Sequence, residues 1–136
     1  MNADASQMNA ESWREAMNAL SRAIIGAAQT VSSRLGSGFL EKVYENALAL
    51  EMRKLGFRVE QQRPVHVYYE GEIVGDYVPD LTVEDRLIVE IKAISALERI
   101  QRVQCLNYLR ATNHRLCLLL NFGRPRLEVA RIVWHF

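Results

Sequence analysis

The stretch Pro79-Asp80-Leu81-Thr82-Val83-Glu84-Asp85-Arg86-Leu87-Ile88-Val89-Glu90-Ile91-Lys92 decides how this chain folds. Two strand-like runs, Asp80 to Val83 and Leu87 to Ala93, flank the polar connection Glu84-Asp85-Arg86, which is the pattern of a β-hairpin. The second run is apolar apart from Glu90 and Lys92, as expected of a central, buried strand. Register follows from the apolar pattern. A two-residue turn at Glu84-Asp85 would mix Leu81 and Val83 with Arg86 and Glu90 on one face. A three-residue loop pairs Val83 with Leu87, Leu81 with Val89 and Asp80 with Glu90. It gathers Leu81, Val83, Leu87, Val89 and Ile91 on one face and Asp80, Thr82, Ile88, Glu90 and Lys92 on the other. The second register is the expected one, because a slip of one residue turns every side chain over.

In that register Asp80 and Glu90 are cross-strand neighbours, with Cβ atoms roughly 5 Å apart. Carboxylates that close repel, so one takes a proton or a cation lies between them. A hard divalent ion such as Mg²⁺ prefers carboxylate and water oxygens, polarises a phosphoryl oxygen and lowers the pKa of a bound water. Lys92, two residues beyond Glu90, leaves the strand on the same face. There it could orient that water or steady developing charge. Asp followed by Glu-x-Lys on the next strand is therefore a coherent set for phosphodiester cleavage. Two plainer readings stay open: a buried Glu90–Lys92 pair that satisfies itself, or a solvated face at the strand end.

Working outward, apolar residues recur at helical spacing from Glu11 to Leu35 (Trp13, Met17, Leu20, Ile24, Ala27, Val31), and a second helix is expected from Phe39 to Leu55. Strands are expected at Phe57 to Gln61, Val65 to Tyr69 and Ile73 to Val78. A third helix runs from Ala96 to Thr112 with Ser95 as its N-cap, and strands follow at Arg115 to Phe122 and Leu127 to Phe136. The order is α/β, with a β-α-β crossover around the third helix that places a parallel step inside a mixed β-sheet flanked by helices. Residues 1–10 read as a loose segment and 11–136 as one domain.

The chain has 136 residues, 49% hydrophobic and 24% charged, which excludes a disordered or collagen-like chain. No run is long and apolar enough for a membrane helix, and the N-terminus has no signal-like apolar segment. Cys105 and Cys117 lie in apolar segments and read as buried thiols, from which a cytoplasmic location is expected. Charge is uneven. Residues 1–98 hold 10 Lys and Arg against 15 Asp and Glu, whereas residues 99–136 hold seven arginines against one acid, Glu128. An arginine-rich end suits an anionic partner such as nucleic acid, with Arg99, Arg102 and Arg110 of the third helix as candidate phosphate contacts. The alternative is that these arginines pair with acids of the first part and solvate the surface. His66, His114 and His135 have no zinc-like spacing.

Pro79-Asp80 with Glu90-Ile91-Lys92 resembles the motif of the PD-(D/E)xK nuclease superfamily, whose core is restriction-endonuclease-like. Further stretches resemble its GxxExxY family: Gly38-Phe39-Leu40-Glu41-Lys42-Val43-Tyr44, Gly75-Asp76-Tyr77, Gln104-Cys105-Leu106-Asn107-Tyr108-Leu109-Arg110 and Asn121-Phe122-Gly123. The resemblance spans roughly Ile24 to Phe136. It implies Asp80 and Glu90 as metal ligands, joined by Glu41 from the second helix, and Lys92 as the catalytic lysine. It also implies Gln104 as a catalytic glutamine in a Q-x-x-x-Y motif, with Tyr108, like Tyr44, lining the site. The implied cofactor is Mg²⁺ or Mn²⁺. Relatives often carry a histidine where this chain has Gln101. Each residue has a structural alternative: Glu41 in the first turn favours the helix dipole, Tyr44 and Tyr108 can be core packing, and Gln104 can be a bonded core amide.

The expected function is a metal-dependent nuclease acting on nucleic acid, DNA before RNA, and a homodimer is one assembly open to it. The alternative is a nuclease-fold module that binds nucleic acid or a partner protein without cutting.

Overall fold

The computed structural model describes residues 9–136. The expectation for residues 1–10 therefore falls mostly outside the described residues. Asn9 caps helix α1 (Ala10–Leu35) by accepting from the Ser12 N–H at 2.7 Å. Gly36 ends that helix at φ 72°, a conformation that suits glycine, and its N–H returns to the Ser32 carbonyl at 2.9 Å. Helix α2 (Glu41–Lys54) follows. Then come strands β1 (Val59–Gln61), β2 (Val65–Tyr69), β3 (Glu72–Tyr77), β4 (Leu81–Val83) and β5 (Leu87–Lys92), helix α3 (Arg99–Thr112), and strands β6 (Leu116–Asn121) and β7 (Glu128–Val133).

The main sheet has the order β1-β4-β5-β6-β7, with β5 and β6 parallel and every other pair antiparallel. The β4–β5 register is Leu81 with Val89, Thr82 with Ile88 and Val83 with Leu87, the pairing that the apolar pattern selects. Its alternation separates two cores. On one face Leu81, Val83, Leu87, Val89 and Ile91 pack with α1 and α2 through Met17, Ile24, Leu48 and Met52. On the other, Ile88, Cys117 and Leu119 pack with Cys105 and Leu109 of α3. All six residues of β6 are buried, as a strand covered on both faces requires. Strands β2 and β3 form a separate two-stranded sheet, largely exposed, whose Tyr77 joins the α3-side core. Among the described residues no helix is long and apolar enough to cross a membrane.

Helix α3 begins later than its sequence suggests, and Ser95 does not cap it. The segment between β5 and α3, bent at residues 94–96, is held by side chains of the neighbouring strands. Asn121 Oδ1 accepts from the Ile94 N–H and its Nδ2 donates to the Ile94 carbonyl, both at 3.0 Å. Glu128 Oε1 accepts from the Leu97 N–H at 3.0 Å. With residues 94 and 97 pinned in this way, the cap is Glu98, whose N–H donates to Gln101 Oε1 at 2.7 Å in a capping box that starts the helix at Arg99. Gln101, where relatives often carry histidine, is thus committed to the start of α3.

Candidate metal and catalytic site

Asp80 lies one residue before β4 and opposite Glu90 of β5, on the sheet face that also carries α3. The two carboxylates interlock with the backbone: the Asp80 N–H donates to Glu90 Oε1 at 3.1 Å, and Asp80 Oδ2 accepts from the Ile91 N–H at 2.7 Å. Glu90 Oε1 also accepts from the Tyr77 hydroxyl at 2.7 Å. Glu90 Oε2 takes no hydrogen bond from any described residue. It is not enclosed either, since Thr82 Oγ1 alone among described side-chain polar atoms is buried without a partner. Lys92 stands two residues further along the same face, its ammonium without an ion pair or hydrogen bond to any described residue. It is therefore not locked onto Glu90.

Electrostatics follow from this crowding. Burial, and then the charge of Asp80, push the Glu90 carboxyl up to about 7, against opposing pulls from the Tyr77 hydroxyl, the Asp80 N–H and Lys92. Burial also raises the Asp80 carboxyl, with the Glu45 charge adding to the rise while the Ile91 N–H, Gln62 and Lys92 lower it. The Tyr77 phenol is held above its ordinary value by burial and by Glu90, so it stays a donor. A stability prediction results. Below about pH 4.5 Glu90 carries its proton whether folded or unfolded, and between there and about pH 7 only the folded chain keeps it. The folded state binds more protons across that window, so stability of the metal-free protein falls as pH rises through it. Urea unfolding at pH 5 and pH 8 is expected to give the higher stability at pH 5, and saturating Mg²⁺ is expected to restore stability at pH 8.

The helix carboxylate that hydrogen bonds tie to this group is Glu45, not Glu41. Glu41 is exposed in the first turn of α2, with no hydrogen bond or ion pair to any described residue. Glu45, one turn on, is 3% exposed and bonded on both oxygens: Gln62 Nε2 and Lys42 Nζ on Oε1 at 2.8 and 3.1 Å, and Gln61 Nε2 and Lys42 Nζ on Oε2 at 2.7 and 3.2 Å. A signal for it exists in the sequence, because Glu45 stands in the apolar stripe that continues through Ala49 and Met52.

Tyr44 does not line the site. It is fully buried, its hydroxyl donates to the Gly36 carbonyl at 2.6 Å and accepts from the Phe39 N–H at 3.1 Å, and its ring stacks on Phe122 at 4.7 Å. It meets the site only through Phe122, whose N–H donates to the Lys92 carbonyl at 2.8 Å. Tyr108 is half-buried and stacks on Tyr77 with ring centroids 3.7 Å apart, so it braces the phenol that holds Glu90. Gln104 is exposed on α3 one turn before Tyr108 and is free of hydrogen bonds to described residues. Arg99, Arg102 and Arg110 are exposed on α3, and the charge of Arg102 reaches Glu128 of β7. Gln62 and Glu45 are the members of this group that the sequence reading did not name, and Tyr77 figures there only within the stretch Gly75-Asp76-Tyr77.

The sequence profile of the PD-(D/E)XK nuclease superfamily matches residues 18–132. The chain belongs to this superfamily. Pro79-Asp80 and Glu90-Ile91-Lys92, the stretches that resemble the family's motif, are brought to one sheet end by the fold. PD-(D/E)XK nucleases generally use divalent metal ions, and their substrate is nucleic acid. A solved alkaline exonuclease (LHK-Exo) from Laribacter hongkongensis aligns with 98% of this chain and 72% of its own, at 16% sequence identity and a TM-score of 0.44. No curated protein shows significant sequence similarity.

Proposed function

We propose that this PD-(D/E)XK domain, of the GxxExxY type, is a nuclease that hydrolyses phosphodiester bonds with Mg²⁺ or Mn²⁺ held by Asp80 and Glu90, on DNA before RNA. The observation that carries this reading is the open Oε2 of Glu90 beside Asp80, next to an ammonium committed to nothing else. The donor set fits the ion. Two carboxylates with solvent access are the usual protein share of a Mg²⁺ site, which keeps waters and takes further oxygens from a substrate phosphate. Among the described residues no three His, Cys, Asp or Glu side chains gather, so the expected trio of Glu41, Asp80 and Glu90 is not brought together.

The bound ion supplies a polarised phosphoryl oxygen and a more acidic water. The chain's own residues do the rest. Tyr77 and the Asp80 N–H occupy Glu90 Oε1 and leave Oε2 without a hydrogen bond. The Ile91 N–H fixes Asp80 through Oδ2. Lys92 is placed to hold the attacking water or to offset charge on the phosphorane oxygens. Glu41, Gln104 and the arginines Arg99, Arg102 and Arg110, exposed on α2 and α3, are free to meet the nucleic-acid backbone or its counterions.

Incubation with single- and double-stranded DNA and RNA in Mg²⁺ or Mn²⁺ tests the reading. Cleavage that disappears with EDTA and with Asp80→Ala is the expected result. Salt-sensitive binding without turnover in either ion would point to the binding module instead.

A further inference from the structure

Gln62 joins two carboxylates. Its Nε2 lies 2.8 Å from Glu45 Oε1 and 3.2 Å from Asp80 Oδ1, while its own N–H donates to the Asp80 carbonyl at 3.1 Å. Both side-chain neighbours are acceptors, so the two N–H bonds of the amide serve one carboxylate each. The backbone of Gln62 is left-handed, at φ 55°, a conformation unfavourable for a residue with a Cβ. Gln62 immediately follows β1, which pairs with β4, so its amide closes a bridge from α2 to the segment that bears Asp80.

We propose that Gln62 is the positioning residue of the metal site: its amide ties Asp80, through Oδ1, to the buried Glu45 and so pre-arranges the Asp80 carboxylate that, with Glu90, would receive a divalent cation. This rests on the metal-site reading above. Without the clamp, Glu45 keeps its bonds from Lys42 and Gln61, whereas the Asp80 carboxylate keeps only the Ile91 N–H to orient it. Loss of a partner that orients a ligand typically costs 10- to 100-fold in metal affinity.

Gln62→Gly removes the amide and accepts the left-handed backbone freely, so it adds no strain. Gln62→Asn keeps an amide and tolerates the same backbone, but it is one methylene too short to serve both carboxylates. Mn²⁺ binding to the full chain is read by titration calorimetry and by the electron paramagnetic resonance signal of free Mn²⁺, with thermal melting to establish folding. The expected result is a Kd weakened about 10- to 100-fold in both variants, with melting curves that stay cooperative. Wild-type Kd in either folded variant overturns the proposal while leaving the nuclease reading intact. No Mn²⁺ binding by the wild type overturns both.

Discussion

Lys92→Ala is expected to lower metal-dependent cleavage by about 10²- to 10⁴-fold, the range found when a positioned proton-transfer or charge-stabilising group is removed. The magnitude follows from what Lys92 does in the metal-free fold, which is little. Its ammonium has no ion pair or hydrogen bond to any described residue, so removing it breaks no direct side-chain bond. Its charge does lower both acids, so its loss pushes the Glu90 carboxyl further above about 7. The comparison therefore belongs at pH 9, where the acids are ionised in both proteins and Mn²⁺ binding is expected to match. Single-turnover rates measured there isolate the chemical step. Lys92→Arg is not expected to rescue, because a planar guanidinium does not reproduce a compact ammonium. Rates within threefold of wild type for Lys92→Ala would remove this residue from the chemistry.

Gly123→Ala is expected to cost about 3 kcal/mol or more of folding stability, as forced overpacking against backbone does. A Cβ built on Gly123 would lie 2.2 Å from the Ile94 carbonyl oxygen, 2.4 Å from its nitrogen and 2.7 Å from the Ala93 carbonyl carbon. None of these is the end of a flexible side chain, so the β5–α3 connection has to move. Moving it breaks the bonds that Asn121 makes to Ile94, and Asn121 is fully buried, so each lost partner leaves a desolvated polar atom. The shift reaches Lys92 through Phe122, whose N–H holds the Lys92 carbonyl. Urea denaturation measures the loss, and cleavage under conditions where the variant remains folded is expected to fall as well. Unchanged stability would show that the connection yields freely.

The architecture was legible because its decisive signals are local. Alternation along residues 80–92 selects one hairpin register, and the continuous apolar run from Leu116 identifies a strand covered on both faces. The Asp80–Glu90 pairing followed from that register alone. What escaped depends on contacts between distant residues. Gln62 meets Glu45 and Asp80 across 17 and 18 positions, and no propensity announces such a bridge. Tyr77 reaches Glu90 because the β2–β3 hairpin leaves the main sheet and returns at its end. Glu41 and Glu45 lie one helical turn apart, and only burial against α1 and the sheet separates their roles. The segment before α3 has the same origin, since Asn121 and Glu128, some thirty positions along the chain, pin Ile94 and Leu97.

The connection after Lys92 has a consequence for biosynthesis. The groups that fix it, on Asn121, Phe122, Gly123 and Glu128, are all translated after the lysine and its neighbouring acids. A parallel crossover of this kind also closes a long loop before its contacts repay the entropy. A nascent chain that has emerged only as far as α3 lacks these anchors, so the connection beside Lys92 becomes fixed only once residues 121–128 have been made.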